Sequence, residues 1–310
     1  MNRFFWSRTL QTIPTLIGVA LVTFILLRLI PGDPTMMTGQ TITEEVRSKL
    51  RAEWHLDDPL FKQFYFYMKG VPVLDFGRSF HRVGNPQVRD LIVEYFGRTL
   101  QLAIAAFFLS ITLGISFGII AALHKDSWID RAVMMLALVG ISMPVFVVGT
   151  FLILFAMAVG YRYISGTGGG DFDIHYLILP ALTLGSRSIA YLARMTRASI
   201  LEVSRADFLR TARAKGLNER TVVFKHLMKN AMIPIMTIIG LNFADFLTGA
   251  ILTESVFQWP GIGFLIRNAI NSRDIPVVMG TVLFTTFIFV MINFIVDLLY
   301  GFFDPRIRYS

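Results

Sequence analysis

Few residues of this chain are placed to do covalent chemistry. The five histidines (55, 81, 124, 175 and 226) are scattered, with no pair at helical spacing that would grip a metal ion. Cysteine is absent, which removes disulfides, thiol nucleophiles and cysteine–metal sites. The glycine run Gly166-Thr-Gly-Gly-Gly170 lacks the lysine of a phosphate-binding loop, and G-x4-G-K-[ST] occurs nowhere. No nucleophile, base and orienting group stand together. An enzyme is not expected, nor a cofactor site in this chain. What remains is charge in unusual places. Asp245, Asp297 and Arg187 fall within strongly apolar stretches, and the segment RADFLRTARAKGLNER (Arg205–Arg220) concentrates basic residues around a glycine.

The surroundings of these charges define the class. The chain is 310 residues long, 54% hydrophobic and 16% charged, with a net charge of +8. Soluble domains carry about 25% charge, so an integral membrane protein is expected. A helix needs ~20 apolar residues to cross the hydrocarbon. Six segments qualify: Thr9–Leu27, Leu100–Leu123, Ala132–Gly160, Ile174–Ala193, Ala231–Leu252 and Val277–Phe303. The first is longer than a signal-peptide core and lacks a small-residue cleavage pattern after it, so it reads as an uncleaved anchor. With the N-terminus inside, the cytoplasmic pieces hold fifteen Lys and Arg against three in the short outer loops. That excess places both termini in the cytoplasm. The expected organisation is one all-α transmembrane domain over 1–310. It has a first span at 9–27, an extracytoplasmic helical insertion at 28–99, and a five-span core at 100–303 containing a cytoplasmic loop at 194–230.

The insertion shows helix signals. Thr43 can cap a helix whose face carries Val46, Leu50 and Trp54. Asp58-Pro59 and Asn85-Pro86 are further starts. Phe61, Phe64 and Met68 form one expected apolar side, Val88, Leu91 and Tyr95 another. After the fifth span, TESVFQWPGIGFLIRNAI is too apolar for a simple solvent loop. Glu254, Trp259, Pro260, Gly261 and Gly263 are its candidate gating or contact residues. A helix lying on the bilayer is the alternative.

Intramembrane acids are expensive, about +2.5–3.5 kcal/mol at a span centre on the insertion scale, so Asp245 should face protein or water. We place it with Asn242 and Pro144 as candidate pathway residues, Asp245 attracting a cationic group. A structural ion pair with Arg28 is the alternative. Asp297, near the inner end of the last span, suits anchoring or pairing with Arg187 or Arg194. Gly114-x3-Gly118 permits close helix contact, although chance in a glycine-containing span serves equally.

In the basic loop, Leu201, Phe208, Leu209 and Ala212 share a helical stripe, with Arg210 and Arg213 off it. Gly216 should end that helix, and Asn218 should cap the next, with Glu219 in its first turn. The product is a helix, a glycine turn and a helix. Ala212, Gly216 and Val222 have the spacing of a DNA-reading helix-turn-helix. Both ends of the loop are tied to membrane spans, however, which denies it a major groove, so no nucleic acid is expected. A docking element for a cytoplasmic protein explains more than topology-enforcing charge alone.

The stretch RTARAKG followed by HLMKNAMIP resembles the cytoplasmic coupling loop of ABC-importer permeases. Arg210-Thr211-Ala212 stands where many of them have Glu-Ala-Ala. The variant is similar to the peptide/nickel branch, and to the first permease subunit of dipeptide importers in particular. IPTLIGVALVTFILLRLIPGDP, LDFGRSF, MPVF, TESVFQWPGIG and DPRIRY agree with it along nearly the whole chain. The resemblance implies a type I importer, MetI-like, permease fold in a bacterial inner membrane. It also implies a homologous second permease subunit, two cytoplasmic ATPase subunits that bind ATP and magnesium, and a periplasmic or lipid-anchored substrate-binding protein. By the same resemblance Arg210, Thr211, Ala212, Arg213, Lys215, Gly216 and Leu217 dock on an ATPase subunit. Gly216 would give the bend and Ala212 the close approach. Dipeptides or oligopeptides are the implied cargo, with glutathione and nickel as alternatives. An ion-coupled carrier using Asp245, Asp297 and Arg187 is the rival from another class, but it usually shows inverted repeats, and none is visible. A membrane-anchored regulatory protein without transport is a further rival.

Overall fold

In the computed structural model the described residues are 2–29, 48, 51–52, 55–82, 84–164, 174–248 and 250–303. Side chains within 2–12, at 233 and 237, and within 240–245, 247–248 and 295–303 are not described. The helices are α1 (Asn2–Leu29), α2 (Leu60–Gly70), α3 (Val88–Leu123), α4 (Trp128–Ser142), α5 (Val145–Ala158), α6 (His175–Val203), α7 (Asp207–Ala214), α8 (Lys229–Thr248), α9 (Ala250–Phe257), α10 (Ile262–Ser272) and α11 (Ile275–Phe303). The chain divides into two compact units, one of Met1–Thr99 with Pro260–Ser310 and one of Leu100–Trp259.

Among the described residues, three helices are long and apolar enough to cross a membrane: α3, α6 and the Ile275–Phe294 part of α11. The expected span Ala132–Gly160 is not one rod. It is α4 and α5, bent by 118°. Proline explains the break, because Pro144 lacks an N–H and excludes helical backbone at the residue before it. Met143 is accordingly extended (φ −82°, ψ 136°) and Pro144 follows at ψ 138°, so two residues leave the helix. The expected span Thr9–Leu27 lies within α1, and Ala231–Leu252 runs through α8 into α9.

The first unit is built on the start of α3. Val88 and Leu91 are buried with Phe76, Ile262, Leu265 and Val277, and Tyr95 packs beside them, as the apolar spacing suggests. Helix α3 then continues into the expected span without interruption. Helix α2 departs from expectation. Phe61 is 76% exposed, whereas Gln63 turns inward at 7%. Its amide donates to the carbonyls of Leu56 (3.1 Å) and Asp58 (2.7 Å), which ties the helix to the turn before it and fixes that face inward. Phe64 meets Phe24 edge-on at 5.5 Å. The expected helix at Thr43, Val46, Leu50 and Trp54 lies outside the described residues.

In the second unit α6 is the central element, and its small buried residues include Ala181, Gly185, Ser188, Ala193 and Thr196. The Gly114-x3-Gly118 pair packs against it. A Cβ at Gly118 would lie 2.4 Å from the Thr196 Cβ and 2.6 Å from the Ala193 carbonyl oxygen, and one at Gly114 would lie 2.7 Å from the Leu192 Cβ. Close helix approach, rather than chance, accounts for these glycines.

Candidate functional site

The loop after α6 folds as a helix, a glycine turn and a helix. Helix α7 ends through its own backbone. Leu217 N–H donates to the Ala212 carbonyl (3.4 Å) and Gly216 N–H to that of Arg213 (2.9 Å), with Gly216 at φ +76°. These are the two bonds of a Schellman stop, which needs a left-handed residue where the glycine stands. The next helix begins at Asn218, whose side-chain oxygen accepts from Arg220 N–H at 3.1 Å. Only one α-turn follows, Glu219–Thr221. Val222–Met228 is then π-helical, a form found mostly as short insertions, before α8 begins. Nothing in the sequence signalled that wider coil.

This elbow has two sides. Leu209, Ala212, Val222, Leu227 and Ala231 are buried together with Ala122 at the end of α3 and Ile200 at the end of α6. Ser199 in α6 donates to the Ala231 carbonyl at 2.8 Å. The small size of Ala212 is therefore used inside the chain, against its own helices, and not on the outer surface. The other side is open. Arg210, Thr211, Arg213, Lys215, Gly216 and Leu217 are exposed, as is Phe224 at 73%. Arg213 grips Glu219 across the turn, its Nε and Nη2 donating at 3.2 and 2.8 Å. That guanidinium holds the Glu219 carboxyl below the usual carboxylate range. The elbow is thus a firm underside carrying a basic and partly apolar upper face.

Beside it, Arg197 of α6 makes a two-pronged ion pair with Asp130 of α4 at 2.5 and 2.6 Å, and Asp130 is 3% exposed. Ser127 caps α4 by accepting from Asp130 N–H at 3.3 Å. Ser127-x2-Asp130 has the spacing of a capping signature, the one local signal in this arrangement. Arg197 lies 67 residues away in sequence, beyond any local signal.

In the first unit a second cluster escaped the sequence reading. Asp274, between α10 and α11, is buried and accepts from the Ser79 hydroxyl, from Phe80 N–H (3.1 Å) and from His81 N–H (3.4 Å). Ser79 also accepts from Arg82 N–H at 3.2 Å. This latch fastens the LDFGRSF stretch. Thr99 accepts from Ile262 N–H at 2.8 Å, securing the start of α10.

The candidate pathway residues are not gathered into a described site. Pro144 is exposed at the α4–α5 break. Asn242 and Asp245 lie in α8, and their side chains, like that of Asp297, are outside the described set. Of the candidate gating residues, Glu254 and Trp259 are buried in the second unit, where Trp259 N–H donates to the Glu254 carbonyl at 2.8 Å. In the first unit Pro260 is half-buried, and Gly261 and Gly263 are buried at the start of α10. Residues expected in a loop therefore sit in or against helices.

Comparison with known proteins joins these parts. Residues 114–309 match the family described as binding-protein-dependent transport system inner membrane component, and residues 1–103 match its N-terminal domain family. The chain belongs to this family of membrane permeases. It is 40% identical to the dipeptide transport system permease protein DppB of Alkalihalophilus pseudofirmus, covering 97% of this chain and 98% of the relative. It is 41% identical to the glutathione transport system permease protein GsiC of Shigella flexneri, covering 98% of both. With the di/tripeptide transport system permease protein DppB of Pseudomonas aeruginosa the identity is 40% over 96% of both. In fold it is similar to a chain of the MetNI methionine ABC transporter in inward-facing form. The TM-score is 0.53 at 19% identity, over 67% of this permease and 94% of that chain. A chain of an amino acid ABC transporter gives 0.51 at 18% identity, over 68% and 92%. The permease is all-helical among its described residues, and its fold is similar to that of these transporter chains.

Proposed function

We propose that this permease is one of two homologous membrane subunits of an ATP-driven importer. It would carry dipeptides and short oligopeptides across a bacterial inner membrane into the cytoplasm. The chain would cross the membrane six times, with both termini cytoplasmic. Two ATPase subunits would bind ATP and magnesium beneath it, and a periplasmic or lipid-anchored binding protein would deliver the peptide. The two-sided elbow carries the coupling reading. Its buried face transmits force to the ends of α3 and α6, because packed side chains resist shear. Its exposed face, with Arg210, Lys215, Leu217 and Phe224, is free to meet the ATPase. Nucleotide-driven closure of the ATPases would then move helices rather than unfold a loop.

Glutathione is the second reading, favoured by the likeness to a glutathione permease. It is itself a short peptide, and the same machinery would serve. The test is uptake by the reconstituted complex. Arg210→Glu with Leu217→Asp, both on the exposed face, should lower ATP-driven import of a dipeptide at least tenfold. The permease should still insert and keep its melting temperature. Full import by that variant would sink the coupling role. Preference for glutathione over dipeptides would replace the cargo assignment.

A further inference from the structure

Helix α2 is held on one side and bare on the other. On the held side Gln63 donates to the Leu56 and Asp58 carbonyls, and Phe64 meets Phe24 of α1 edge-on. The opposite side carries Phe61 and Tyr65, one turn apart and 76% and 62% exposed, with Leu60 exposed beside them. Val73 and Leu74, in the turn that follows the helix, are exposed as well. Lys62 and Lys69, two turns apart, run along one flank of the Phe61–Tyr65 face. Clustered apolar side chains on a firmly held helix mark a contact surface.

Two observations select lipid as the partner. The first is level. Phe24 lies five residues before the end of α1, about 7.5 Å along its axis at 1.5 Å per residue. Around and beyond Phe24, α1 exposes Val22, Ile25, Leu26 and Leu29. In a membrane permease such an apolar side is solvated by acyl chains, so α2 is moored at a depth where α1 still presents a lipid-facing surface. The second is composition. Aromatic and aliphatic side chains on one face with lysines at its flank are the pattern of a helix lying in the bilayer interface, its apolar face sunk about 5–10 Å. Tyr65 and the lysines suit that boundary, because each joins an apolar body to a polar tip.

We infer that α2 lies along the bilayer surface at the C-terminal end of α1, with Phe61 and Tyr65 among the upper acyl chains. Lys62 shares its charge with Asp58 at 2.8 Å, so Lys69 supplies the charge turned toward lipid phosphate. Through the Phe64–Phe24 contact this helix sets the depth at which α1 ends. The inference stands on α1 and α2 and does not depend on the cargo of the transporter.

The chain has no cysteine, so a single introduced thiol can be labelled cleanly. Phe61→Cys and Tyr65→Cys, each carrying a nitroxide, are compared by EPR in nanodiscs of phosphatidylethanolamine and phosphatidylglycerol. The full chain is used, purified with the subunits it assembles with. Ile17→Cys on the exposed side of α1 is the lipid reference, and Arg89→Cys at the exposed start of α3 is the water reference. The readout is relaxation by oxygen, which collects among acyl chains, over relaxation by a nickel chelate, which stays in water. At 61 and 65 this ratio should exceed the Arg89→Cys value several-fold and fall short of the Ile17→Cys value. Tyr65→Trp gives a check without a label. Its added emission should be quenched more by lipid brominated near the headgroup than by lipid brominated near the terminal methyl, with the melting temperature unchanged. A ratio at either site equal to that of Arg89→Cys would put the face in water and overturn the proposal. Exclusion of both relaxants would mean that protein, a second copy or another subunit, covers the face, and would overturn it equally. So would quenching that is strongest with the deep bromines.

Discussion

The latch around Asp274 and the elbow around Gly216 solve opposite problems with the same materials. At the latch a carboxylate is buried and surrounded by neutral donors, one hydroxyl and two backbone N–H groups, with its polar capacity turned inward. At the elbow the apolar residues are inward and the ionic groups outward, Arg213 meeting Glu219 on the surface. Buried polar groups fix one geometry, because leaving any of them unpaired is costly. Exposed ion pairs hold weakly and can exchange partners. The difference indicates a latch made to stay shut and an elbow made to present its surface.

The elbow's unit also uses a buried charge. Arg197→Met would leave Asp130 buried without its cation, and removing one partner of such a pair costs about 3–5 kcal/mol. A clear fall in melting temperature in nanodiscs is expected. Asp130→Asn combined with Arg197→Met should recover most of the loss, since neither charge is then stranded. Equal damage from the single and double variants would show that packing, and not the ion pair, holds α4 to α6. Of comparable size is Asp274→Ala, which strands the buried Ser79 hydroxyl and Phe80 N–H at about 1–3 kcal/mol each. Hydrogen exchange should rise over residues 77–82 and stay unchanged over 207–221. A rise in both regions would mean the two devices are not separate.

Much of the elbow was legible because its signals are local. Gly216 after an amphipathic stretch predicts the helix stop, and Asn218 the next cap, since each acts within a few residues of itself. The long apolar helices were legible for the same reason. Other features were not. Pro144 marks a break, but membrane helices tolerate proline, and nothing local says whether it bends a helix or divides it. Gln63 reads as a surface residue until its two carbonyl partners are known. Asp274 and Asp130 look like ordinary loop acids, because their partners lie 195 and 67 residues away in sequence. The exposed face of the elbow was half legible. Its basic residues stand out in the sequence, but only the fold shows that Ala212 faces inward while Phe224 faces out.

The smallest expected effect sharpens the contrast from the other side. Arg213 and Glu219 are on the surface, so Glu219→Gln should leave global stability unchanged while loosening the turn. Their ion pair depresses the Glu219 pKa, so its contribution is present at neutral pH. It is lost only as pH falls through that depressed value, below the ordinary carboxylate pKa of about 4.3. Amide exchange of Gly216 and Leu217, corrected for intrinsic rates, should be faster in Glu219→Gln than in the parent at pH 7. The two should converge once the carboxylate is protonated. Convergence follows from the sign of the shift, because a protonated Glu219 has lost the same charge that the glutamine lacks. If the difference persists at acid pH, the clamp is steric. If there is no difference at pH 7, the turn is held by its Schellman bonds and the Asn218 cap alone, and the elbow is stiffer than its exposed ion pair suggests.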